Sequence, residues 1–85
     1  MTETAVREKI RSHIMENLMF TDDPARLPDD ASLLDMGVID STGVLELVLL
    51  MEENFSLQVQ DAAIVPDNFD SVDRMVSFVL RSKTA

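Results

Sequence analysis

The chain contains no cysteine, tryptophan or tyrosine, and only two glycines, three prolines and one histidine. Without cysteine there is no disulfide and no thiolate metal site. With one histidine and no Gly-x-Ser-x-Gly segment, His13 would have to meet a serine distant in sequence to build a nucleophile–base pair. No apolar stretch approaches the roughly 20 residues that span a bilayer. Met1-Thr2-Glu3-Thr4-Ala5 shows no basic run followed by an apolar one, so a secretory signal is not expected and the cytoplasm is the expected compartment. Positive charge is also missing from the middle. From Leu27 to Asp73 there is no Lys, Arg or His, while eleven Asp and Glu fall in that span of a chain whose net charge is −9. Such a field repels nucleic acid and anionic membrane and steers basic protein surfaces inward.

What is present suffices for one core. Eighty-five residues make a single domain, 1–85, with residues 82–85 expected as a loose C-terminal tail. Four Phe and six Met stand in for the missing aromatics. Methionine is flexible and fills irregular gaps, so the set suggests a core that can yield.

Val6, Ile10, Ile14 and Leu18 recur every four residues, which predicts a first helix over about Glu3 to Met19 with Arg7, Glu8, Lys9, Arg11 and Glu16 in solvent. Phe20 to Asp40 reads as a long loop, broken by Pro24, Pro28 and Gly37. Its Leu27, Leu33, Leu34, Met36, Val38 and Ile39 are too apolar for a free linker and are expected to anchor it across the helices. A second helix is expected over Ser41 to Phe55. At 3.6 residues per turn, Val44, Leu47, Val48, Met51 and Phe55 share its core face. Thr42, Leu45, Glu46, Leu49 and Glu53 share another face, apolar contacts within a charged margin, as suits docking. Asp61 to Ile64 resembles one helical turn halted by Pro66. Asp70 or Ser71 then caps a last helix with Val72, Met75, Val76, Val79 and Leu80 inward. The fold class expected is all-α: a small four-helix bundle of three main helices and one short one, with a long loop between the first and second.

Two Asp-Ser pairs precede apolar helices, Asp40-Ser41 and Asp70-Ser71, and both residue types are preferred caps. Capping explains Ser71. Ser41 differs, because Gly37 and Gly43 bracket it and Gly43 costs up to about 1 kcal/mol in a helix. Loss of side-chain bulk beside Ser41 would compensate, leaving a hydroxyl that another protein can reach. A helix N-terminus also offers free N–H groups to a phosphate attached there. The pattern points to a modified carrier rather than a catalyst.

Gly37-Val38-Ile39-Asp40-Ser41, followed by Leu45-Glu46-Leu47-Val48 and Glu52-Glu53-Asn54-Phe55, resembles the acyl carrier protein family over essentially the whole chain. The resemblance implies 4′-phosphopantetheine, taken from coenzyme A by a phosphopantetheinyl transferase and esterified to Ser41. Its thiol would hold an acyl or aminoacyl group as a thioester. Asp40, Thr42, Gly37 and Gly43 would form the attachment motif, with Asp40 positioning the serine. Leu45, Glu46, Leu49, Glu52 and Glu53 match the face that partner enzymes grip. Leu47, Met51, Ile64 and Met75 would line space for the cargo. Thr42 stands where the family usually has Leu, and Asn54 where it usually has a third acid. Both departures favour a dedicated lipid, polyketide or amino-acid-derived pathway, with cargo from an adenylate-forming ligase and delivery to a downstream synthase or transferase that presents a basic surface. The implied protein is a non-catalytic monomer that binds neither nucleic acid nor membrane.

Other chemistries fit less well. Adjacent Glu52 and Glu53 point about 100° apart on a helix and do not converge as an acid–base pair. A calcium loop needs Gly at its sixth position, which Asp35 and Asp40 as starting points fail to supply. The alternative is an acidic helical interaction adaptor that is never modified.

Overall fold

The computed structural model describes residues 2–84, and of Ser41 and Thr84 the backbone alone. Its elements are α1 (Glu3–Ile14) running on into a π turn (Met15–Met19), a 3-10 turn (Pro24–Arg26), α2 (Ser41–Phe55), a second 3-10 turn (Asp61–Ala63), α3 (Pro66–Phe69) and α4 (Val72–Thr84). The described residues form the all-α bundle the hydrophobic periods predict. α1 lies against α4, and α3 bridges α4 and α2.

The periodic residues build the core. Val6, Ile10 and Ile14 from α1, Val44, Leu47, Val48, Met51 and Phe55 from α2, and Val72, Met75, Val76 and Val79 from α4 are all buried. Leu50, which the period did not place on that core face, joins them. Among the described methionines only Met51 and Met75 are fully buried, so the centre is mainly branched aliphatic with these two thioethers set within it. The Phe69 ring, buried at the end of α3, packs 5.2 Å from that of Phe78.

The 21–40 connection is fastened rather than free. Leu27, Leu33 and Ile39 are buried, each worth about 2 kcal/mol if fully withdrawn from water. Leu34 and Val38 are half-buried. Met36, expected among the anchors, is instead 41% exposed, because Leu33 takes the inward side of that turn. Polar groups complete the attachment. Arg11 donates to the carbonyls of Pro24 (2.9 Å) and Leu27 and to the Asp29 carboxylate. Arg7 bridges Asp29, Asp73 and Glu3. These two arginines therefore face the loop, not solvent as their helical position suggested. The hydrogen bond to Asp73 is the main reason the Arg7 pKa is raised, against the opposing effect of burial. A raised cation contributes stability at all ordinary pH and loses it only in strong alkali.

Two local expectations are corrected. Pro66 does not halt a helical turn but begins α3 at its first position, where a missing N–H costs nothing and φ is already helical. The short helix is therefore 66–69, and Asp61–Ala63 is only a 3-10 turn before it. Residues 82–84, expected as tail, continue α4, and Ala85 lies outside the described residues.

Candidate functional site

The loop enters α2 through a tightly specified turn. Gly37, at φ +74°, follows a helical turn over 32–36. Its N–H donates to the Leu34 carbonyl (3.1 Å) and that of Val38 to Leu33 (3.0 Å), the Schellman pattern that needs a left-handed residue at this point. Asp40 is then the N-cap: its carboxylate accepts from the Gly43 N–H at 2.8 Å, and its carbonyl accepts from the Val44 N–H at 3.2 Å. Ser41 is the first helical residue. Its hydroxyl lies outside the described residues, but capping is done by its neighbour.

Gly43 has a reason other than openness around Ser41. A Cβ built on it would lie 3.0 Å from the Ile39 Cβ and 3.3 Å from its Cγ2. The glycine lets the buried Ile39 press against the first turn of α2, close to the carboxylate that caps it.

The second Asp-Ser pair divides its tasks the other way. Ser71 is buried and its Oγ accepts from the Arg74 N–H (3.2 Å), so here the serine caps. Asp70 reaches back 38 residues to accept from the Ser32 hydroxyl (2.6 Å), and it also accepts from the Leu34 N–H (3.0 Å). It thus holds the turn that Gly37 closes. Its only signal in the sequence was membership of a cap pair, which pointed to the wrong task.

Around the start of α2 an open depression of about 460 Å3 is bordered by Leu18 of the π turn, Val38 and Ile39 of the loop, and Thr42, Gly43 and Glu46 of α2. Gly37 and Asp40 also border it. Further along α2, Leu45 and Leu49 expose 50% and 59% of their surface, and Glu46 and Glu53 are exposed beside them. Glu52 is half-buried, and its carboxylate accepts from the Val59 N–H (3.2 Å), so it also ties down the segment after α2. Leu47, Met51 and Met75 are fully buried and Ile64 half-buried. His13 is half-buried with Asn17 as its neighbour. Among the described residues no group of three or more His, Asp and Glu could hold a metal ion, and no helix is long and apolar enough to cross a membrane.

α2 thus begins at Ser41, is capped by the preceding carboxylate, and carries an exposed face of leucines and acids. The family model for a phosphopantetheine attachment site matches residues 8–79. An acyl carrier protein of Akkermansia muciniphila is 30% identical over 93% of this chain and 94% of its own length. Acyl carrier protein 2 of Ralstonia nicotianae is 35% identical over 85% and 80%, and an acyl carrier protein of Cyanidioschyzon merolae 31% over 98% and 87%. The chain belongs to the acyl carrier protein family. Its prosthetic group is accordingly 4′-phosphopantetheine. The residues present fit it: the Asp40 carboxylate supplies the cap of α2, and an open depression adjoins the start of that helix.

Proposed function

We propose that Ser41 is the attachment point, and that the protein carries an acyl or aminoacyl group for a dedicated lipid, polyketide or amino-acid-derived pathway in the cytoplasm. The arm, when bound, supplies a thiol that holds cargo as a thioester. On modification by a transferase the serine oxygen bonds to phosphorus, its proton is lost, and the nucleotide half of coenzyme A leaves. The observation that carries this reading is the role of Asp40. In a family built around a modified serine, this serine starts α2 while its neighbour does the capping.

The chain's own residues then bind and orient rather than react. Asp40 and Gly43 hold the first turn of α2 in place. Leu45 and Leu49 offer apolar contact to partners, and Glu46, Glu52 and Glu53 attract their basic surfaces. These partners are the transferase, a loading ligase and a downstream synthase or transferase, each meeting a monomeric carrier. Leu47, Met51, Ile64 and Met75 can line a buried cargo only if the packed core opens, for which the two methionines are suited.

The direct test incubates the protein with a broad-specificity phosphopantetheinyl transferase and coenzyme A and weighs it intact. One added phosphopantetheine is expected. No change in mass would favour the unmodified adaptor. Combining Glu46→Lys with Glu53→Lys should slow loading about tenfold or more at low salt, because steering of this kind contributes roughly 10- to 1000-fold to association. The wild-type rate should fall as salt rises. A salt-independent rate would remove that face from the docking surface.

A further inference from the structure

The depression at the start of α2 lies on the α1 side of that helix, where Leu18 and Val38 are half-buried and border it. Its volume of about 460 Å3 falls within the roughly 300–1,000 Å3 of ordinary small-molecule sites. The α2–α4 interior is different: Leu47, Met51 and Met75 expose nothing, so no preformed space meets a ligand there. Resting on the attachment at Ser41, we infer that the unloaded arm lies in this α1-side cleft. Its geminal methyl groups pack on Leu18 and Val38, and its hydroxyl and amide N–H donors face Thr42 and Glu46. The phosphodiester stays at the solvent edge, repelled by the Asp40 and Glu46 carboxylates.

Two observations assign this occupant rather than a free ligand. Asp40 and Thr42, the residues on either side of Ser41, both border the cleft. A short tether gives an effective concentration on the order of millimolar, so contacts too weak to hold a free molecule suffice. The charge also selects: two carboxylates disfavour a free anion and favour a neutral segment rich in N–H donors.

The test compares the unmodified and modified protein by methyl-resolved NMR, with intact mass establishing that one arm has been added. Contacts from the arm's geminal methyls to Leu18 and Val38 methyls are expected, with shifts at both residues and none at Met51 or Met75. Leu18→Thr should abolish those contacts and narrow the arm's resonances; if that variant does not fold, the wild-type contacts decide alone. Shifts confined to residues 40–44, or contacts to Ile64 or Met75 instead, overturn the cleft and leave the attachment standing. An unchanged mass overturns the attachment and the cleft with it.

Discussion

Ser41→Ala should abolish the mass gained from coenzyme A, whereas Ser71→Ala should leave it intact. The two serines share a preceding aspartate and a following apolar helix, so local sequence hardly separates them. Their surroundings do. Ser71 is buried and its oxygen is occupied as the cap of α4, so a transferase could reach it only by unfolding that end of the helix. At the other pair the aspartate caps. Loss of the Ser71 cap should instead appear as about 1 kcal/mol of lost stability with modification unchanged. A gain in mass that survives Ser41→Ala would move the attachment point elsewhere.

Asp70→Ala should have the largest effect on stability, about 2–4 kcal/mol. Hydrogen bonds to charged groups are each worth about 1.5–3 kcal/mol, and both the Ser32 hydroxyl and the Leu34 N–H lose their acceptor. In a domain this small, where each kcal/mol moves the melting point by about 4–8 °C, the midpoint should fall by more than 8 °C. Asp70→Asn, which keeps one carbonyl acceptor, should lose roughly half as much. A midpoint within 2 °C of wild type, on a scale of about 4–8 °C per kcal/mol, would mean the loop is held by its buried leucines alone. Because the pinned turn leads into Gly37 and the Asp40 cap, Asp70→Ala should also slow phosphopantetheine transfer below its own melting point.

What the sequence discloses and what it hides follow from the range of the forces. The bounds of α2, Ser41–Phe55, and its core face follow from period and cap chemistry, both local, and the structure matches them. Helical structure runs on to Met19, so that end is also legible, although the π turn departs from the four-residue period and leaves Leu18 half-buried. Long-range polar pairings are not. Arg7 meets Asp73 across 66 residues and Asp70 meets Ser32 across 38, and no periodicity reports which charge will find which. The first helps turn Arg7 inward, as Asp29 and two loop carbonyls do for Arg11, and the second gives Asp70 its task. Pro66 was ambiguous for a different reason, because proline both follows helix ends and begins helices. Family resemblance singles out Ser41 as the proposed attachment point, but which member of each Asp-Ser pair caps depends on where the partner side chain can reach.

The contact between position 43 and Ile39 constrains how this chain can diverge. Any residue larger than glycine at 43 brings its Cβ to 3.0 Å from the branched carbon at 39, which must then give by a few tenths of an ångström, so the two sites are coupled. Relatives that carry a side chain at 43 should show a compensating change at 39 or a displaced helix start, a paired signature that an alignment of close homologues would expose.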